Sequence, residues 1–302
     1  CMASIIFMVA NLPSFYLYCM GNGDFLFYNG KLMRDNGPLI DASNRSFRYG
    51  DGCFETMKMV NGKLCLASYH FERLFNSLDL LRFECPAHFT PAYLEQRILT
   101  VAEKNKHTAC GRVRLTIARG NGGLYDAANH FPNHLIQTWA LEKPATGLNV
   151  NGVEMDIFPD ARKVCDLYSM LKSNNYLPNV MAALWAKERR LNDAVLLNPY
   201  DRIADATIAN IFIVKDGVIA TPSLAEGAVN GVMRRHLLHC LHQADMPVEE
   251  KQITVHELLE ASEVFLTNAI AGIKWVKRVG ASEYGCQLAP ALYDRFIANI
   301  HE

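Results

Sequence analysis

Apolar and polar residues are spaced along the chain in a way that predicts interleaved strands and helices. Phe25-Leu26-Phe27-Tyr28 runs into Asn29-Gly30, a dipeptide suited to the positive φ angles of a type I′ hairpin turn. The same device recurs at Asn61-Gly62, between CFETMKMV and KLCLA. From about Ser68, Phe71, Leu74, Phe75, Leu78 and Leu81 recur at helical spacing. A second helix is predicted from about Pro91, with Leu94, Ile98 and Val101 on one face. In RVRLTIA the alternation is strict: Val113, Leu115 and Ile117 face one way, Arg112, Arg114 and Thr116 the other. That pattern predicts a half-exposed strand, and HLIQTWAL predicts another.

The second half repeats the mixture. VEMDIF, AVLLN, NIFIV, VIATP, EVFLT and KWVKRVG read as strands, with Asp216-Gly217 turning NIFIV back into VIATP. A helix is predicted over about Leu177 to Arg190, where Pro178 is tolerable in the first turn. Thr254-Val255-His256-Glu257 has the form of a capping box opening a short helix, and a further helix closes the chain. Strands and helices interleave in both halves, so the expected class is α/β (α+β mixed) in two domains. The expected boundaries are an N-terminal extension at 1–23, a small domain at 24–143, a linker at 144–152 carrying Pro144 and Gly147, and a large domain at 153–302.

With 302 residues, half of them hydrophobic, the chain can bury a sizeable core. The 30 Lys+Arg and 31 Asp+Glu leave a net charge of -1. That balance, with no basic run, argues against nucleic acid as a partner and for work on small molecules. The nine cysteines form no C-x-x-C pair. Reduced, mostly buried thiols in a cytoplasmic protein are therefore expected, rather than a disulfide framework or thiolate metal site. His236, His239 and His242 fall near one helix face, but their steps drift off one line and no carboxylate joins them, so no metal site is expected. Residues 3–20 carry no charge, but Pro13 interrupts them and no basic segment precedes them. A folded or frayed extension is expected there, and no membrane association.

Four segments carry the candidate chemistry. They are Arg45-Ser-Phe-Arg-Tyr-Gly-Asp-Gly-Cys-Phe-Glu-Thr56, His70-Phe-Glu-Arg73-Leu74, Leu171-Lys172-Ser-Asn-Asn-Tyr176-Leu177, and Ala204-Asp205-Ala-Thr-Ile-Ala-Asn210-Ile-Phe212. The last is followed by Gly227-Ala-Val-Asn-Gly231-Val-Met-Arg234. Singly none is decisive. In this order and spacing they resemble the class IV (fold type IV) pyridoxal-phosphate enzymes, over about residues 24–280. That family includes branched-chain aminotransferase, D-amino acid aminotransferase and aminodeoxychorismate lyase.

The resemblance implies an enzyme of fold type IV that holds pyridoxal 5'-phosphate and works as a homodimer. It implies Lys172 as the catalytic amine that binds the cofactor covalently yet exchangeably. It implies Arg73 for the phosphate, joined by backbone N–H groups near Val232 and Met233 and by the Asn268-Ala269 turn. Asp205 takes the place of the carboxylate facing the pyridine nitrogen, where most members carry glutamate. Asp is one methylene shorter, and it is also a common turn residue. Tyr176 either hydrogen-bonds the ring hydroxyl or packs in the core. Arg48 and Phe54 are the candidate substrate contacts, with Arg48 read either as a carboxylate grip or as a surface or dimer-contact arginine.

Which reaction follows is less constrained. D-amino acid aminotransferases carry an Arg-x-His pair after the R-G turn, and Arg119-Gly-Asn-Gly-Gly-Leu124-Tyr-Asp126 has neither residue. That glycine-rich turn also lacks the Lys-Ser/Thr of a nucleotide phosphate loop. Together with Val229-Asn230-Gly231 and Thr267-Asn268-Ala269, it looks most like aminodeoxychorismate lyase. The implied reaction cleaves 4-amino-4-deoxychorismate to 4-aminobenzoate and pyruvate. An aminotransferase acting on branched-chain or other amino acids is the alternative, and a non-catalytic cofactor-binding protein is a third reading.

Overall fold

The structure is a computed structural model that describes residues 24–125, 129–142 and 148–300. The expected extension at 1–23 and part of the expected linker lie outside the described residues.

Two sheets organise the chain. The first is built from β1 (Phe25–Tyr28), β2 (Lys31–Arg34), β3 (Gly52–Val60), β4 (Lys63–Leu64), β5 (Cys110–Ala118) and β6 (Asn133–Ala140). Its order is β2-β1-β6-β5-β3-β4, with every pairing antiparallel. The hairpin turns form as their sequences predict: Asn29 and Gly30 have φ of 45° and 88°, Asn61 and Gly62 of 49° and 77°. Helices α1 (Arg45–Tyr49), α2 (Ala67–Leu80) and α3 (Pro91–Lys104) complete this half. Phe71, Leu74 and Leu78 of α2 and Leu94, Ile98 and Val101 of α3 join Met57, Met59, Val113, Leu115 and Ile117 of the sheet in one core.

The second sheet gathers β7 (Val153–Ile157), β8 (Asp193–Leu197), β9 (Ile203–Ala206), β10 (Asn210–Lys215), β11 (Val218–Pro222), β12 (Val248–Lys251), β13 (Glu263–Asn268), β14 (Gly272–Val279) and β15 (Ser282–Glu283). Its order is β12-β11-β10-β13-β14-β7-β8-β9, with β15 paired to β14, and parallel and antiparallel pairings mix. Helix α4 (Leu177–Glu188) covers Ala194 and Leu196 of β8. Helices α5 (Val232–Gln243) and α7 (Leu288–Phe296) cover Phe212 and Phe265 on β10 and β13. The short α6 (Val255–Leu259) opens on the Thr254/Glu257 capping box that its sequence predicts.

Two local features differ from the sequence expectation. The stretch from Arg45, read as a glycine-containing turn entering a strand, first forms α1. Asn44 caps it by accepting from the Phe47 N–H, and Gly50 ends it at φ 68°. Asp205 belongs to a fully buried strand, β9, and not to a turn.

One buried ionic cluster ties the two sheets together. Glu55 of β3, 2% exposed, accepts from both Nε and Nη2 of Arg73 on α2 and from Nδ1 of His70 one turn earlier. Arg73 Nη1 then reaches across to the Asn230 carbonyl at 2.9 Å, just ahead of α5. Burial by itself raises a carboxyl pKa. Here the Arg73 charge and the His70 hydrogen bond outweigh burial and take Glu55 down to about 2. Burial also pushes the His70 ring below its usual range against the pull of Glu55, so His70 sits as a neutral donor.

Replacing Glu55 with Gln leaves Arg73 buried without its counter-charge, and should cost about 3 kcal/mol of stability at neutral pH. The folded-state pKa is depressed from 4.5, so this contribution is present above pH 4.5 and lost as pH falls towards about 2. Urea unfolding of both proteins across that range checks it. A stability gap that does not narrow in acid contradicts the assignment.

Candidate active site

Between the two sheets lies a cavity of about 550 Å³. It collects Lys172, Arg73, Tyr176, Asp205, Val232, Met233, Asn268, Ala269 and Phe54 from both halves of the chain. Of the cofactor and substrate contacts expected from the sequence, Arg48 alone stays off its wall. Arg48 ends α1 exposed, with Nε donating to the Ala42 carbonyl at 2.9 Å.

The loop bearing Lys172 is pinned by main chain to the start of β3. The Phe54 N–H donates to the Lys172 carbonyl at 2.9 Å, and the Asn174 N–H to that of Gly52 at 3.0 Å. The α1 turn supports the same loop. Asn174 Nδ2 donates to Ser46 Oγ, and a Cβ on Gly50 would lie 2.2 Å from Asn175 Oδ1. The Lys172 amine stands 4.7 Å from the centre of the Phe54 ring and 5.4 Å from that of Tyr176. Burial, and next the positive charge of Arg73, lower its pKa to about 8, against the opposing pull of Glu55 and Asp205. An appreciable fraction of neutral, nucleophilic amine is therefore present near pH 7.

At one end the cavity offers donors for an anion. A guanidinium has five N–H groups, and Arg73 commits three of them to Glu55 and Asn230, leaving two. Beside it, α5 begins at Gly231 with no side-chain cap, so the first-turn N–H groups at Val232 and Met233 lie on the cavity wall. Gly231 is required there, because a Cβ would lie 1.9 Å from Asn210 Oδ1. Thr267 Oγ1, on the same wall, is buried with no hydrogen-bond partner among the described residues. Asn268 Oδ1 accepts from the N–H groups of Ile270 and Ala271, which fixes the turn beside it.

Asp205, 3% exposed, supplies the cavity's carboxylate. Its Oδ2 accepts from Lys163 Nζ at 2.7 Å and the Val229 N–H at 2.7 Å. Its Oδ1 accepts from Asn210 Nδ2 at 2.8 Å. Tyr176 opens α4, with its ring packed edge-on against Phe54. Burial, then the nearby Asp205 charge, push its phenol pKa well up, so it remains a hydrogen-bond donor.

The wall also holds cations that the sequence reading did not single out. Arg112 and Arg114 of β5 and Lys274 of β14 face the cavity. The alternation in RVRLTIA correctly separates the two faces of the strand. The half-exposed face is as the alternation predicts, with Arg112 exposed and Arg114 half-buried, and both side chains line the cavity. Arg114 lies 3.9 Å over the Phe54 ring, and Arg112 over Trp139. Burial and then the like charge of Arg112 lower the Arg114 pKa. None of these three cations has a carboxylate within 4 Å among the described residues.

Comparison with known proteins agrees with this geometry. An aminodeoxychorismate lyase from Vibrio harveyi is 30% identical over 260 residues, covering 85% of this chain and 93% of its own. A D-alanine aminotransferase from Bacillus licheniformis is 28% identical over 261 residues, covering 85% and 89%. The branched-chain aminotransferase of the thermophilic archaeon Thermoproteus uzoniensis, solved with norvaline, has a similar fold. Its TM-score is 0.83 at 23% identity, over 92% of this chain and 95% of that one. Residues 52–279 match the family described as amino-transferase class IV, and with that span and these relatives the chain belongs to that family.

Proposed function

We propose that this enzyme binds pyridoxal 5'-phosphate in the cavity and cleaves 4-amino-4-deoxychorismate to 4-aminobenzoate and pyruvate. The donors and acceptors on the wall suit the cofactor. The Lys172 amine would hold it covalently, Arg73 with the α5 N-terminus and Thr267 would take the phosphate, and Asp205 would face the pyridine nitrogen. When bound, the cofactor supplies an electron sink for the pair left behind as a substrate proton departs.

The protein's own groups do the rest. Lys172 Nζ would take the proton from the amine-bearing carbon of the substrate. Tyr176, kept protonated, donates a hydrogen bond and does not compete for that proton. The ring then becomes aromatic as its C–O bond to the enolpyruvyl group breaks. The enolpyruvyl group leaves through its oxygen and takes the released proton on its methylene carbon to become pyruvate, so the two products account for every atom without added water.

The observation that carries the lyase reading is the set Arg112, Arg114 and Lys274, cations on the wall with no carboxylate partner among the described residues. A chorismate derivative brings two carboxylates to a site of this kind. An aliphatic amino acid brings one. The alternative, a class IV aminotransferase, is supported by the D-alanine and branched-chain relatives. The reading includes a cytoplasmic homodimer; light scattering at micromolar concentration should give twice the chain mass, and a monomer contradicts it.

Arg114→Gln should raise KM for aminodeoxychorismate about tenfold or more, with a smaller change in kcat. One preparation should be assayed on aminodeoxychorismate, following 4-aminobenzoate, and on amino donors with 2-oxoglutarate. A higher kcat/KM for transamination of branched-chain amino acids replaces the lyase by the aminotransferase.

Borohydride reduction of the loaded enzyme should fix the cofactor's mass on the peptide containing Lys172. A label elsewhere sinks the assignment. Capture of the cofactor by cofactor-free protein should accelerate with pH through about 8, as the amine loses its proton. The Lys172 pKa is depressed from 10.5 on folding, so the charged amine destabilises the fold most below about pH 8. Lys172→Met should therefore raise the Tm of the cofactor-free protein at pH 7, and the gain should shrink as pH climbs towards 10.5.

A further inference from the structure

Lys163 has no part in the reading above, and it did not stand out in the sequence. It follows β7, in a segment anchored by its own N–H to the Leu197 carbonyl at 2.8 Å. Its side chain is buried, and its ammonium stands 2.7 Å from Asp205 Oδ2. Asp205 is its one carboxylate partner within 4 Å among the described residues.

Counting lone pairs shows what this contact does. Each carboxylate oxygen accepts about two hydrogen bonds. Oδ2 takes Lys163 Nζ and the Val229 N–H, so it is full. Oδ1 takes one bond, from Asn210 Nδ2. The acceptor capacity that remains is on Oδ1, and Asp205 lines the cavity. Aspartate is one methylene shorter than the glutamate common in the family, so its reach depends on which rotamer is held and which oxygen is free. Asn210 alone would leave the carboxylate able to rotate and offer either oxygen. Lys163 removes that freedom by occupying Oδ2 from behind, together with the main chain of Val229.

We propose that Lys163 is a positioning residue for Asp205: by filling Oδ2 it presents Oδ1 as the acceptor for the protonated pyridine nitrogen. This rests on the cofactor reading of the cavity. Lys163 acts through Asp205 and does not touch the cofactor itself. It also shares the carboxylate's negative charge, so it moderates how strongly Asp205 holds the ring-nitrogen proton.

The test is a double-mutant cycle with Lys163→Met and Asp205→Asn, read by cofactor Kd and by the visible absorption band of the loaded protein. Lys163→Met should weaken cofactor binding about tenfold and shift the band. Adding it to Asp205→Asn should change Kd by less than about twofold and leave the band in place. Lys163→Arg, which keeps a charged donor on Oδ2, should stay close to wild type in both measures. Equal effects of Lys163→Met in the two backgrounds mean a general structural role and overturn the proposal. If Lys163→Met does not fold, Lys163→Gln replaces it, and a wild-type band and Kd there overturn the proposal as well. A wild type that takes up no pyridoxal 5'-phosphate overturns both this inference and the function it rests on. A wild type that takes it up, with no coupling between the two positions, overturns this inference alone.

Discussion

The site depends on one electrostatic constraint. Arg73, Arg114 and Lys172 line one cavity, and Lys163 stands against the cavity's carboxylate, Asp205. Buried like charges repel strongly and lose hydration, so the arrangement holds only because two carboxylates are buried among them. Glu55 neutralises Arg73, and Asp205 neutralises Lys163. Among the described residues Lys172 has no carboxylate within 4 Å, and burial and then the Arg73 charge lower its pKa to about 8 against the pull of Glu55 and Asp205. Arg114 is likewise left without one within 4 Å among the described residues. The same charge balance thus stabilises the fold and leaves two groups available for chemistry.

That balance has to be assembled from distant parts of the chain, and main-chain hydrogen bonds do most of the joining. The Lys172 loop is stitched to β3 through Gly52 and Phe54, and the Arg73 side chain reaches the Asn230 carbonyl just ahead of α5. The contacts at Gly52 and Phe54 do not depend on which side chain is present, whereas the one to Asn230 requires the Arg73 guanidinium. Glycine is needed only where the approach is too close for a Cβ. Gly52 is such a place, with a Cβ 2.2 Å from the Ile117 carbonyl, and so is Gly231 at the entry to α5.

Much of the site was legible in the sequence because the motifs are local. His70 and Arg73 share one face of a helix, Lys172 and Tyr176 lie within one loop and helix start, and Asp205 and Asn210 flank a tight connection between strands. Hairpins announced by Asn-Gly were legible for the same reason. Three features were not. Arg112 and Arg114 lie on the polar side of an amphipathic strand, and periodicity cannot say whether a polar face meets water or an internal cavity. Lys163 is a single lysine with no local pattern, and its partner is 42 residues away. Arg48 looked like a substrate grip because it precedes a glycine turn, but helix α1 carries its side chain to the outside.

The resemblance to the family leads one to expect glutamate where this chain has Asp205, and the surroundings of Asp205 hold the shorter carboxylate. A shorter carboxylate on an unchanged strand would recede from the cavity and lose definition. Here its surroundings close up behind it. Asn210 binds Oδ1 while also donating to the Val229 carbonyl at 2.8 Å, and Val229 returns its N–H to Oδ2. These three residues form a closed ring of hydrogen bonds, and Lys163 braces it from the far side. Asn210 also stands against Gly231, so the element that aims the carboxylate abuts the start of α5. The Gly231 N–H donates to the Val229 carbonyl at 2.7 Å, so the carboxylate end of the cavity and the start of α5 are parts of one hydrogen-bonded unit. A change that shifts Asn210 moves both ends together, because its side chain holds Asp205 Oδ1 and the Val229 carbonyl and abuts Gly231.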